Sequence, residues 1–256
     1  MSPAYMNKWV AQEMDLGSLP RVVHLQTPLE EYYFNYCFEV KELRSDRVEL
    51  RPLCQHAELV FQATRRFPDL KFGYDQVRDI GDILVWLERE RLDPEHFWYV
   101  IFAPPPGELG ANPHDYVLAG FIGFVESKAD KLRTELSIMV LPSFQRTHVQ
   151  THASGLLIHR ALDHPTEGGL GLNRIQWAAS STNLPSQNAS RRLGFVYEGL
   201  IRCDRMMPPL RAGAREGRKG TLGEGKQIRD DWVSLLTWYD WEGGARDHVD
   251  RLMTSR

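Results

Sequence analysis

The chain has 256 residues, of which 42% are hydrophobic, 25% charged and 11% aromatic, which fits one globular domain with extensions and excludes a disordered or fibrous protein. The formal net charge of −3 provides no bulk attraction to nucleic acid or to an anionic membrane, so neither is expected as a partner. Cys37, Cys54 and Cys203 are scattered without a CxxC spacing and read as reduced thiols, not as a disulfide framework. No apolar run is long enough to span a bilayer. Asn7, Lys8, Gln12 and Glu13 stand where a signal peptide needs apolar residues, so a cytoplasmic location is expected, with the nucleus as the other option.

Residues 1–40 read as an N-terminal extension, with prolines at 3, 20 and 28 and an aromatic cluster of Tyr32, Tyr33, Phe34, Tyr36 and Phe38 that must cover the domain to escape aggregation. The domain, residues 41–242, opens with a half-buried strand in which Val48 and Leu50 alternate with Glu49 and Arg51 before Pro52. Helical spacing predicts a helix over 56–66 and another over 75–91, the second carrying Val77, Ile80, Leu84 and Leu87. Strands are predicted over 97–103 and 116–126, joined through the breaker run Pro104-Pro105-Pro106-Gly107. The second is apolar on both faces and belongs in mid-sheet. A strand over 134–140 alternates Leu136, Ile138 and Val140 with Glu135, Ser137 and Met139.

A turn, 142–147, then leads into a helix over 149–164 that stops at Gly168-Gly169. These glycines follow a helix, so their amides face the wrong dipole end for phosphate. A strand over 174–179, a short helix over 185–193, and strands over 195–202 and 232–241 complete the set, with Trp177, Trp232, Trp238 and Trp241 placed on strands as core. Between the last two strands, residues 208–229 form a loop rich in glycine and arginine. It suits a lid or a clamp for an acidic substrate, or else a flexible, solvated surface loop. Residues 243–256 read as a tail.

Several of these segments carry recognisable runs: Arg47-Val-Glu-Leu-Arg51-Pro52, Thr134-Glu135-Leu-Ser-Ile138, Gln145-Arg-Thr-His148-Val-Gln150-Thr151, Asn183-Leu-Pro-Ser186 with Arg192-Leu-Gly194-Phe195, and Asp231-Trp-Val-Ser234-Leu235. In this order, over roughly residues 44–241, the sequence resembles the GNAT superfamily of N-acetyltransferases, and within it the branch that includes ribosomal-protein N-terminal acetyltransferases. The resemblance implies an α/β (α+β) fold: a GNAT-like mixed, mostly antiparallel twisted sheet of about seven strands flanked by helices. It also implies acetyl-CoA as co-substrate, no metal, and an acetyl group passed to a primary amine by direct attack on the thioester. The acceptor is then a small-molecule amine or a peptide N-terminus, and the protein a monomer or homodimer.

Acetyl-CoA presents a pyrophosphate, and a helix N-terminus offers free N–H groups and a positive dipole end. The turn Gln145, Arg146, Thr147, His148, Val149, Gln150, Thr151 delivers such an end directly after a strand, and by resemblance its amides cradle the pyrophosphate. The family pattern has small residues where this chain has His148 and Gln150; glycine there would let backbone and phosphate approach closely. By resemblance, an amide near Ile138, Met139 or Val140 polarises the thioester, while Asn183 orients the pantetheine arm. Helix capping alone also explains an asparagine there.

Glu135, a carboxylate in an apolar strand, is the candidate base, against the alternative of a rim glutamate paired with an arginine. Ser190 stands at the position of the tyrosine that protonates the thiolate in many family members. Ser186 and Ser190 are therefore the candidate hydroxyls, Ser186 being the closer match. His148 and His152 have a zinc-like i, i+4 spacing but no third ligand and no HExxH glutamate. No GxSxG elbow is present. Two other readings keep the fold: a non-catalytic binding module, and an enzyme repurposed for other biosynthetic chemistry without CoA.

Overall fold

The computed structural model describes residues 23–28, 31–53, 56–66, 79–108, 112–207 and 213–255. Pro3, Pro20, Cys54, Val77 and residues 208–212 lie outside them. A short helix, α1 (Val23–Gln26), precedes a two-residue strand, β1 (Leu43–Arg44), and then β2 (Glu49–Pro52). Helices α2 (Ala57–Arg66) and α3 (Ile80–Leu92) follow. The second starts where Asp79 accepts the Gly81 and Asp82 amides at 2.8 and 3.3 Å, an N-cap later than the apolar spacing implied.

Strand β3 (Phe97–Ala103) pairs with β2 on one side and with β4 (Val117–Lys128) on the other. Strand β5 (Arg133–Val140), α4 (Val149–Leu162), β6 (Arg174–Ser180), α5 (Leu184–Arg192), β7 (Val196–Met207), β8 (Arg215–Glu216) and β9 (Gln227–Thr237) complete a nine-stranded sheet. Its order is β1-β2-β3-β4-β5-β6-β9-β7, with β8 beside β9. The seven expected strands are all present. The two additional ones, β1 and β8, are two residues long, too short for a period-two pattern.

Every strand pairing is antiparallel except β5 with β6, which α4 connects. This helix packs on β4, β5 and β6 through Val149, Ala153, Leu157, Ile158 and Ala161, all fully buried. As expected of a strand apolar on both faces, β4 is buried along its middle. The N-terminal aromatics insert into the same core: Phe34 meets Phe97 edge-on with ring centres 5.1 Å apart, and Tyr36 stacks 6.5 Å from Phe124. Tyr36 Oη also bonds Ser127 Oγ at 3.0 Å.

The C-terminal region departs from its sequence reading. Strand β9 ends at Thr237, not at 241, because Thr237 and Asp240 form a capping box that starts α6 (Trp238–Asp240). Trp238 is consequently exposed, off the sheet. Trp241 is buried, but in a wide helical turn over 241–245, where its Nε1 donates to Asp163 Oδ1 at 2.8 Å. What read as a tail is α7 (Arg246–Thr254), packed on α4. Gly155 makes that contact possible: a Cβ there would lie 2.3 Å from Met253 Sδ. Within the 208–229 loop, β8 lies against the start of β9, and Arg215 pairs with buried Asp230.

Candidate active site

The parallel pair β5–β6 is held by three register steps only, Arg133↔Arg174, Thr134↔Ile175 and Glu135↔Gln176. Beyond Glu135 the strands part, while β5 remains paired with β4 as far as Val140. The inner edge of β5 over 136–140 therefore has no strand partner among the described residues, and the opening faces the carboxyl ends of two parallel strands, where α/β folds place ligands. A cavity of about 300 Å³ fills it, lined by Leu136, Ser137, Ile138, Trp177, Asn183 and Ser186 among others. Ser186 is fixed there because Trp177 Nε1 donates to its Oγ at 3.0 Å, leaving the hydroxyl proton to donate elsewhere. Asn183 caps α5, its Oδ1 accepting the Ser186 amide at 3.2 Å, and lines the cavity as well.

At one end of this cleft lies the start of α4. Thr147 Oγ1 donates to the Phe144 carbonyl at 2.6 Å and accepts the Val149 amide at 3.3 Å. The first amide bonded back along the chain is that of His152, so Gln150 and Thr151 present unpaired N–H groups among the described residues. His148 has φ −65° and Gln150 is helical, so neither uses the freedom glycine would supply. The left-handed residue of the turn is Arg146, with φ 63°. The ordinary helical backbone at His148 and Gln150 therefore accepts side chains.

A cavity of about 510 Å³ opens beside these amides, lined by Arg47, Arg146, Arg192, Thr147, His148 and Thr151 and walled by Pro104–Gly107, Phe144, Leu252 and Ser255. Gln145 lies outside it, exposed, with its Nε2 on the Val140 carbonyl at 3.3 Å.

At the other end, Glu135 Oε2 accepts from Gln176 Nε2 at 2.8 Å, at the last rung before the strands diverge. Burial pushes the Glu135 carboxyl above the usual carboxylate range, and Asp231 and Glu126 push it the same way, against the pull of Gln176 and Arg205. A cavity of about 280 Å³ beside it is lined by Glu126, Asp204, Asp231, Arg133 and Arg205. Asp231 accepts from Arg205 Nη2 at 3.1 Å and from Arg229 Nε.

Two ladder irregularities supply this lining. Glu126 has φ 51° at the break in β4–β5, and Cys203 has φ 57° at the break in β7–β9. Bulges of this kind re-aim side chains, and non-glycine residues in the left-handed region mark sites where the surroundings enforce strain.

The expected site residues are thus divided. Glu135, Ile138, Asn183 and Ser186 line the cleft or its mouth, and Arg146, Thr147, His148 and Thr151 line the arginine cavity. Val149 is fully buried and serves the core. Met139 and Val140 lie on β5 beyond the cavity lining, and Gln150 reaches Ser154 Oγ at 3.3 Å and accepts from Arg192. Ser190 stands apart: it is fully buried, and its Oγ is occupied by the Gln187 carbonyl at 3.1 Å and Ser234 Oγ at 3.2 Å.

Buried His152 bonds Ser45 Oγ through Nδ1 at 3.0 Å. Among the described residues, no three His, Cys, Asp or Glu side chains come together as metal ligands, and no helix is long and apolar enough to cross a membrane. Sequence reasoning missed Arg47, Arg192, Trp177, Arg205 and Asp231 as site residues. Arg47, Arg192 and Asp231 stood within the quoted runs, which was a usable signal; Arg205 depends on a bulge that leaves no pattern.

A family model described as the acetyltransferase (GNAT) domain matches residues 47–196. A search of the curated proteins finds no match. Among solved structures, a GCN5-related N-acetyltransferase from Brucella melitensis superposes with a TM-score of 0.63 at 18% identity, over 85% of this chain and 87% of that one. A microcin C7 self-immunity acetyltransferase in complex with acetyl-CoA and AMP gives 0.54 at 16% identity, over 75% and 93%. The spermidine/spermine N-acetyltransferase of Vibrio cholerae gives 0.52 at 14%, over 78% and 98%. At these identities the likeness is one of fold.

Proposed function

Because the chain belongs to the GNAT acetyltransferase family, we propose that it transfers the acetyl group of acetyl-CoA to a primary amine by direct attack on the thioester, without a covalent enzyme intermediate. The observation that carries this reading is the end of β5–β6 pairing at Glu135↔Gln176. It leaves a carboxylate of raised pKa at the point where the sheet opens, between an arginine-lined cavity and an acidic one.

The residues present fit acetyl-CoA. The Gln150 and Thr151 amides and the positive end of α4 suit a pyrophosphate, with Arg146 adding a charge-assisted contact. The unpartnered edge of β5 over 136–140 suits the amides of a pantetheine arm. When bound, acetyl-CoA supplies the electrophilic thioester carbon. Glu135 takes the first proton from the incoming ammonium, and the free amine then forms the C–N bond as the C–S bond breaks, its second proton passing to the departing thiolate. An amide on β5 near Ile138–Val140 polarises the carbonyl, and the Ser186 hydroxyl donates to the departing sulfur.

The acidic lining beside Glu135 favours a cationic acceptor, either a small-molecule amine or a peptide N-terminus. The proposed compartment is the cytoplasm.

The test is thermal melting with and without acetyl-CoA, on the wild type and on Thr151→Trp, which fills the mouth of the arginine cavity. A ligand at ~100 times its Kd stabilises the fold by about 2.7 kcal/mol, well within resolution. A shift in the wild type that vanishes in Thr151→Trp supports the reading. No shift at millimolar acetyl-CoA overturns it.

A further inference from the structure

The cavity of about 280 Å³ beside Glu135 carries charges of both signs, and most of them are already spent on one another. Arg205 gives its Nε to Asp204 Oδ2 at 3.0 Å and its Nη2 to Asp231 Oδ2 at 3.1 Å. The other oxygen of Asp231 is taken by Arg229 Nε. Gln176 is committed at both ends of its amide: Oε1 accepts from Arg174 Nη2 at 2.8 Å, and Nε2 donates to Glu135 Oε2 at 2.8 Å. Glu135 Oε1 is left without a donor among the described residues.

Two charged side chains of the lining remain unspent. Arg133 stands two residues before Glu135 on the same face of β5, roughly 7 Å along the strand. It meets no carboxylate among the described residues, and its Nε is buried without a hydrogen-bond partner. Its neighbour across the parallel rung, Arg174, is by contrast tied to Gln176 and, at 3.2 Å, to Glu198 Oε2. Glu126, at the break in the β4–β5 ladder, is the second: its carboxylate has no ion pair or hydrogen bond among the described residues.

A buried N–H without an acceptor is costly, and a guanidinium fork matches a carboxylate through two parallel hydrogen bonds. A purely cationic acceptor would satisfy Glu126 but leave Arg133 orphaned, with a further positive charge brought beside it. A ligand that completes both carries an ammonium and a carboxylate a few bonds apart. The cavity volume lies at the small end of ligand pockets, which suits a free small molecule.

We propose that the acceptor is a free amino acid, whose ammonium enters between Glu126 and Glu135 and whose carboxylate is held by Arg133. The inference rests on the acetyltransferase reading of this site and narrows its acceptor from any primary amine to one that bears a carboxylate. Arg133 is then the specificity-determining residue, which touches the acceptor and takes no proton from it.

The test is thiol release from acetyl-CoA by the wild type, Arg133→Met and Arg133→Lys. The acceptors are the standard amino acids, the matching amino-acid amides, spermidine and a short peptide with a free N-terminus. The melting temperature of each protein, with and without acetyl-CoA, controls for folding and for co-substrate binding. The wild type should favour at least one amino acid over its amide by about tenfold to a hundredfold in kcat/KM, as a charge-assisted pair predicts. Arg133→Met should abolish that preference, chiefly through KM, and Arg133→Lys should keep part of it. Equal or better use of the amides, spermidine or the peptide by the wild type overturns the assignment while leaving the acetyltransferase reading intact. A preference that persists in Arg133→Met, or acetyl-CoA binding with no amino acid acetylated, does the same. Absence of any melting shift with millimolar acetyl-CoA removes the acetyltransferase reading and this assignment with it.

Discussion

Glu135, the proposed base, holds a position that costs stability. Its carboxyl titrates above the usual range, mainly because β5 and its neighbours bury it. An unfolded chain releases that proton near pH 4.5, whereas the folded one holds it to a higher pH. The group therefore opposes folding as pH rises through that interval and above it. Glu135→Gln keeps the shape and removes the charge. We expect kcat/KM for amine acetylation to fall by about 10²–10⁴. The acid limb of the pH–rate profile should disappear, and resistance to urea at neutral pH should rise. A variant that loses activity and stability together would mark Glu135 as a structural group. The side chain was readable as a base candidate from its place in an apolar strand. The factors that tune it, Asp231 and Glu126, were not, because they reach it across the sheet and from a bulge.

Among elements, α7 was the least legible. Gly243 and Gly244 look like helix terminators, and the nine residues after Ala245 carry only a short apolar face of Val249, Leu252 and Met253. Gly244, at φ 124°, breaks the helical backbone for a single residue, after which the helix resumes because Val249 and Met253 find α4 to pack on. Tertiary burial here overrides a local stop signal. The capping box Thr237-x-x-Asp240 was legible in principle, as a polar pair three apart before an aromatic turn, and it is what shortens β9. Since Gly155 admits Met253, Gly155→Val should wedge α7 off α4 and lower stability by about 1–3 kcal/mol, read as a reduced urea midpoint. An unchanged midpoint would show that α7 adds little to the fold. By contrast, β3, β4 and α4 followed the sequence pattern closely, since each is long, strongly periodic and buried in the way its pattern demands.

Across the whole molecule, a net charge of −3 conceals an uneven arrangement: arginines without carboxylates line one end of the cleft, while at the other Glu126, Glu135, Asp204 and Asp231 outnumber Arg133 and Arg205. Composition sums over a surface, so it excluded a basic protein without revealing where either sign collects. Stability should also carry a pH signature from the buried end of α4. Burial pushes the His152 imidazole down to about 4 from an ordinary 6.5, against the pull of Asp46. Between those values the unfolded chain binds a proton that the folded one refuses, so stability falls as pH drops from about 6.5 to about 4. Urea midpoints across that window should decline in the wild type and flatten in His152→Asn. Parallel declines in the two proteins would assign the loss to other groups.

The bulge around Cys203 has a consequence beyond the acidic cavity it helps to line. Strand β7 closes one end of the sheet and exposes Val196, Tyr197, Leu200, Ile201 and Met206. A straight, apolar boundary strand of that length invites a neighbouring chain to add itself in register. The left-handed turn at Cys203 and the shift at Tyr197/Gly199 interrupt the ladder and twist the strand, and Arg202, Asp204 and Arg205 bring charge to the same stretch. The kink that aims Arg205 at Asp231 thereby also blunts the strand as a template for edge-to-edge pairing. A flat strand here would lose the lining of the acidic cavity and present an unbroken edge.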